Sequence, residues 1–295
     1  LHAVETPRYS LLALLLVVAA AVAVGLPGAL MGCHADDWLL LRARDFEELW
    51  RPFAGSWLPP WDAGSGGLYR PLVILSFAMD DALFGGSVAA AHLHGAVLFL
   101  IILCAVFFLL WRPFGIPPLP SALLTIAAVA VNPLCAEPLF WISARSDLLA
   151  TGLVLAAMVV GVRSMESGCR RLAIAALLLL AAGLLAKETA IAGIILLPLI
   201  SSLASETRQP SVDSRNPAVS VSSPQVPPNP LCLETRAPDM PPIPRDLEGA
   251  SSSTQQDRNS LRLEIILGSL CLGVAYVSLR TWAIGGLGGY ATVGP

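Results

Sequence analysis

Long apolar runs separated by short polar breaks organise this chain. Runs at roughly 10–31, 89–111, 119–135, 147–163, 171–187, 189–205 and 263–283 carry little internal charge. About 20 helical residues cross a hydrocarbon core, so each run is read as a membrane span, the fourth and sixth being short. The fold expected is all-α, a polytopic transmembrane helix bundle of about seven spans. Only Lys187-Glu188 separates the fifth and sixth runs, which must form a tight hairpin or a broken pair. The run from Leu11 to Met31 is longer than the apolar region of a signal peptide. It also lacks an obvious small-x-small cleavage site before Asp36, so it is read as an anchor that stays.

Between the first two runs the pattern changes. Trp38, Leu39, Leu40, Leu41, Phe46, Leu49, Trp50 and Phe53 alternate with Arg42, Arg44, Asp45, Glu47 and Glu48. That is the pattern of a helix lying in the interface with aromatics at headgroup depth. Pro59, Pro60, Gly64, Gly66 and Gly67 break it, and a second short helix is expected over 71–83, after Tyr69-Arg70. The stretch 206–260 is rich in Pro, Ser, Asn and Gln and has no apolar period. Too little apolar surface is available there to offset the entropy of ordering, so a disordered cytoplasmic loop is expected. The chain therefore divides into a membrane domain over 1–205, a loop over 206–261, and a seventh span with the start of the next outer loop over 262–295.

Composition agrees with a membrane protein. Hydrophobic residues make up 55% of the chain and charged residues 13%, about half the charge fraction of a soluble domain. The net charge of −3 gives no reason to expect nucleic acid. Cysteines are scattered without CxxC spacing, so no zinc site is expected. Cys33 and Cys135 both fall near the outer surface, where a disulfide is conceivable but not expected. Orientation follows from arginine in short loops. With Arg8 in the cytoplasm, Arg112, Arg163, Arg170, Arg171, Arg208 and Arg215 also fall inside. The loops 32–88 and 136–146 and the 187–188 turn then lie outside, although Arg42, Arg44, Arg51 and Arg70 fall there too.

Ionisable groups beside spans are costly and usually functional, and four sets map to the outer side. Asp36-Asp37 follows the first span: a solvated helix end, a general base whose pKa rises at a lipid boundary, or a poor divalent-cation site. Glu137, Arg145 and Asp147 crowd a short loop, where an Arg145–Asp147 pair with no further role is the plain alternative. Lys187-Glu188 offers a buried ion pair of its own. Arg70 and Arg280 form the fourth set. Guanidinium groups clamp phosphate oxygens bidentately, and a neighbouring carboxylate can take a proton from a hydroxyl. Such a set suits glycosyl transfer from a polyprenyl phosphate sugar. The leaving group is already a phosphate, so one base and one cationic clamp suffice.

ADDW after the first span, YRPLVILSFAMDDALFG, NPLCAEPLFWISARSDLLA, LLAKETAI and YVSLRTWAIGGLGGY occur in this order. In this the chain resembles the polytopic GT-C glycosyltransferases of the protein O-mannosyltransferase type, including bacterial and tetratricopeptide-linked members, over about 10–205 and 262–290. The chain has Asn132-Pro133 where that family commonly has His-Pro, and Gly95 and Phe99 after His92 where it often has Asn and His. The resemblance implies a C-terminal half beyond these residues. It also implies inversion at the anomeric carbon, with Asp36 or Asp37 as catalytic base. Arg70, Arg145 and Arg280 would bind the donor phosphate, and Glu137, Asp147, Lys187 and Glu188 would hold the outer loops. No metal and no cofactor beyond the lipid-linked donor are implied. The expected partners are a polyprenyl phosphate sugar (mannose-like hexose), a protein or glycan acceptor, and membrane lipids. The expected location is a bacterial inner membrane, N-terminus cytoplasmic, active face periplasmic or extracellular. The rival expectation is a non-catalytic or transporter-like membrane protein with the same fold. Transfer to a lipid or glycan acceptor would keep the same chemistry.

Overall fold

A computed structural model describes residues 7–34, 37–41, 46–55, 68–206 and 246–284. Among these residues every regular element is helical. The elements are α1 (Pro7–Gly25), α2 (Asp37–Leu40), α3 (Phe46–Ala54), α4 (Pro71–Phe84), α5 (Val88–Trp111), α6 (Pro118–Thr125), α7 (Pro133–Phe140), α8 (Arg145–Ser167), α9 (Arg170–Ala186), α10 (Gly193–Glu206) and α11 (Asp246–Ile284). Short 3-10 turns follow α1, precede α8 and join α9 to α10, and a π-helical turn (Ile126–Ala130) extends α6.

Local sequence explains the breaks. Pro71 opens α4 with its fixed φ, and Gly85 closes it in the left-handed region at φ 60°. Ser87 then caps α5, its side chain accepting from the Ala90 N–H. Gly168, at φ 66°, ends α8 and lets the chain turn straight into α9.

Among the described residues, four helices are long and apolar enough to cross a bilayer: Arg8–Gly28, Val88–Trp111, Ile142–Ser167 and Gln256–Ile284. Pro118–Ala130 and Glu188–Ala204 are apolar but shorter. The 17 residues of α9 rise about 26 Å, a little under a hydrocarbon core. The outward faces are apolar: Leu15, Val97, Leu178, Ile195 and Val274 are all exposed. An apolar exterior of this extent is what lipid requires and water penalises.

Packing centres on α8, which lies along α9, α10 and α5, while α11 closes over α9 and α10. A second cluster joins α1, α5 and α6 through Val17, Phe99, Leu103 and Ala122. Glycine makes the closest approaches. A Cβ on Gly161 would lie 2.5 Å from Ser201 Oγ, and one on Gly268 would lie 2.5 Å from Leu177 Cδ1.

Two expectations change. The segment expected to be a loop over 206–261 contains the first part of α11, which begins at Asp246. Once the apolar stretch from Leu261 onward forms a helix, each added residue gains a backbone hydrogen bond without a new nucleus, so polar residues extend it backward. Residues 207–245 lie outside the described residues. The helix expected between the first two spans is described as two pieces, α2 and α3, with residues 42–45 between them outside the described residues. The Pro/Gly break at 59–67 also lies outside the described residues. The second short helix is α4, ending one residue later than expected.

Candidate functional site at one end of the bundle

Helices α5, α8 and α10 start at the end of the bundle where α1, α9 and α11 finish. Contacts fix this: Gly28 faces the Leu139 carbonyl and His92, and Ser143 bonds Asp37. Nearly every charged group singled out in the sequence and described by the structure collects here. The opposite end holds Arg112, Arg163 and Arg170, the last paired with Glu264.

Asp37 is fully buried. Its Oδ2 accepts the His34 N–H at 2.9 Å, and its Oδ1 accepts the Ser143 N–H at 2.8 Å. The carboxylate thus staples the segment after α1 to the turn before α8. Both oxygens are engaged by backbone donors, which suits an anchor better than a base facing a substrate. Beside it, burial and then the Asp37 charge push the Cys33 thiol up from its ordinary range, so this free thiol is a poor nucleophile. Asp36 lies outside the described residues, and the Glu137 side chain does too, although its backbone belongs to α7.

Arg145 is 1% exposed and does not stand with the other phosphate candidates. Its Nη1 lies 2.6 Å from Asp80 Oδ2, its Nη2 donates to the Ala91 carbonyl at 2.9 Å, and its guanidinium stacks 4.1 Å from the Phe77 ring centroid. Asp80 Oδ1 in turn lies 2.8 Å from His94 Nδ1. One carboxylate on α4 therefore joins α5 and α8, and a guanidinium so occupied orients α4 instead of gripping a ligand. The sequence reading missed Asp80 and His94. Their signal was an ionisable residue inside each of two apolar helices.

The remaining charges re-pair relative to expectation. Lys187 Nζ binds Asp147 Oδ1 at 2.6 Å. Glu188 Oε1 accepts from Arg70 Nη2 at 2.9 Å, and its Oε2 faces Arg280 Nη1 at 3.3 Å. The Arg145–Asp147 and Lys187–Glu188 pairs that stood as the plain alternatives do not form. Residues two apart on a helix point to different sides. Lys187 is extended (φ −160°, ψ 146°), and neighbours in extended backbone also point apart. Arg280, 5% exposed, donates further to the Tyr276 hydroxyl at 2.9 Å.

The structure thus gathers Arg70, Arg280 and Lys187 with Asp147 and Glu188, and separates Arg145 into its own network. Among the described residues no three His, Cys, Asp or Glu side chains gather as a metal site. Two guanidiniums converging on one partly exposed carboxylate form a place where anionic oxygen is held. Comparison with known protein families, curated sequences and solved structures finds no match to this chain.

Proposed function

We propose that the chain is a membrane glycosyltransferase. It moves a mannose-like hexose from a polyprenyl phosphate carrier to a hydroxyl, protein Ser or Thr being the favoured acceptor, at the non-cytoplasmic face and with inversion. The observation that carries this reading is the convergence of Arg70 and Arg280 on Glu188 at the end of the bundle where the interfacial helices α3 and α4 lie. A lipid carrier presents its phosphate at that depth, and two guanidiniums stabilise the charge that grows on the leaving phosphate. In this proposal the four long apolar helices, the α6 segment, α9 and α10 make seven crossings of a bacterial inner membrane. The arginine-rich end faces the cytoplasm.

The acceptor hydroxyl attacks the anomeric carbon, the bond to phosphate oxygen breaks, and the proton passes to a base. Asp36 keeps that role, because Asp37 is committed to backbone donors. The test is to supply membranes containing the protein with labelled polyprenyl phosphate sugars and follow label into protein, glycan and lipid. Asp36→Asn should reduce transfer by about 100-fold or more, the usual weight of a general base, with normal insertion. Unchanged turnover would remove this base, and no transfer from any such donor would remove the enzyme reading.

A second reading has one specific observation behind it: Arg70, Arg145, Lys187 and Arg280 each have an anionic partner inside the protein. A non-catalytic relative, or one working as a transporter, would look the same. The labelled-donor assay separates these.

A further inference from the structure

Glu188 differs from the buried carboxylates at this end, and from Asp147, which is as exposed but pairs with Lys187, in serving two guanidiniums. Asp37 and Asp80 are buried and held from two sides. The Glu188 side chain is 37% exposed, while those of its partners, Arg70 and Arg280, are 17% and 6% exposed. The cations are therefore the fixed members and the anion is the one with room to leave. Arg280 is braced by Tyr276 on its own helix, and Arg70 immediately precedes Pro71 at the rigid start of α4.

The pairing of Arg70 is also incomplete. Glu188 gives it one oxygen, Oε1, while the other faces Arg280. Among the described residues Arg70 Nε is buried with no hydrogen-bond partner, and an unmatched buried donor on a charged group is costly. A carboxylate has two oxygens in one plane. A phosphate ester offers anionic oxygens in a tetrahedron, which can serve two guanidiniums from different elements at once.

We propose that Arg70 and Arg280 form an oxyanion site for a phosphate ester, and that Glu188 is its internal occupant, displaced into water when the phosphate binds. This rests on the reading of these arginines as phosphate ligands and adds the residue that competes with the ligand. Without the lipid, Glu188 keeps the two cations organised. With the lipid bound, an unmoved Glu188 would face phosphate as a like charge, so its departure is a condition of tight binding. Lys187, the preceding residue, is tied to Asp147 on α8, so the backbone at the turn stays in place while only the side chain swings.

The test measures binding and not transfer. The full chain in nanodiscs of zwitterionic lipid is titrated with farnesyl phosphate and, separately, with inorganic phosphate. Glu188→Gln should bind farnesyl phosphate about tenfold more tightly than the unaltered chain, since a like charge is removed. Glu188→Asp keeps the charge but is too short to reach both arginines, and it should fall between the two. The Arg70→Ala, Arg280→Ala double variant should lose binding. If Glu188→Gln does not insert, Glu188→Asp decides. Inorganic phosphate following the same order would mark a site for phosphate from any source; response to the lipid alone would mark a headgroup site. Equal affinity across the Glu188 variants, or no binding of either compound, overturns the proposal. Binding that follows the expected order in a chain that transfers no sugar would leave this site standing and remove only the glycosyltransferase reading.

Discussion

Each buried charge at the end of the bundle where α5 and α8 start is tied to a partner distant in sequence, and this decides how single substitutions behave. Asp80 carries both Arg145 and His94. Asp80→Ala leaves a buried guanidinium without its counter-charge, and breaking a buried pair from one side costs about 3–5 kcal/mol. Asp80→Asn keeps hydrogen-bond acceptance and should cost less. Replacing both partners with apolar residues, Asp80→Leu with Arg145→Met, should recover much of the loss, because the desolvation penalty disappears with the charges. Thermal unfolding in nanodiscs checks the order. Equal stability of the Asp80→Ala variant and the unaltered chain would show that Arg145 is not held as described.

The sequence made Arg145, Lys187 and Glu188 conspicuous, because a charge beside an apolar run needs a partner. It did not make the partners legible. Lys187 and Glu188 are neighbours in the chain, yet they bind helices on opposite sides of the turn. Pairing depends on where α4, α8 and α11 meet, and no local pattern encodes that meeting. Asp80 escaped notice because the helix that carries it was expected in a loop outside the spans, where a carboxylate needs no internal partner.

At the scale of elements, close approach between helices rests on small residues. A lipid-facing bundle gains nothing from moving apolar groups out of water once inserted, so contact area and shape complementarity hold the helices together. Gly161 on α8 faces Ser201 and Leu197 on α10, with no room for a side chain. Gly161→Leu should push α10 away and destabilise the bundle by about 1–3 kcal/mol, the usual penalty of overpacking, whereas Leu178→Ala on the exposed face of α9 should change little. Unfolding by increasing detergent would rank the two. An undisturbed Gly161→Leu protein would mean that α8 and α10 do not pack as closely as described.

Apolar periodicity alone predicted α1, α5, α8 and the apolar part of α11, since nothing but a helix buries that many backbone groups in lipid. The start of α11 was not legible, because its first turns are polar and extend from the apolar part downstream. The end of α2 at Leu40 was hidden for a related reason: neither Leu40 nor Leu41 is a glycine or proline that would mark a helix end.

For the whole molecule, the consequence of alternating helix direction is a chain with two chemically different ends. Arg112, Arg163, Arg170 and Arg262 mark one, and the paired network around Asp80 and Glu188 marks the other. If arginine sets the topology, the first end is cytoplasmic. Single-cysteine variants in a cysteine-free background report this directly. His34→Cys, at an exposed position beyond α1, should react with a membrane-impermeant maleimide added to intact cells. Ser167→Cys, exposed at the far end of α8, should react only after the membrane is opened. The reverse pattern would place the Arg70–Glu188–Arg280 trio in the cytosol, away from a periplasmic or extracellular acceptor.

The tie between Glu188 and Arg280 spans 92 residues of chain, and a ribosome makes those residues in order. When Glu188 emerges, Arg70 is already present and Arg280 does not yet exist. The half-built protein therefore sits in the bilayer with a carboxylate serving one guanidinium, and the second arrives only as α11 slides in along α9 and α10. Synthesis itself thus sets a sequence of events in which α11 completes the cationic pair.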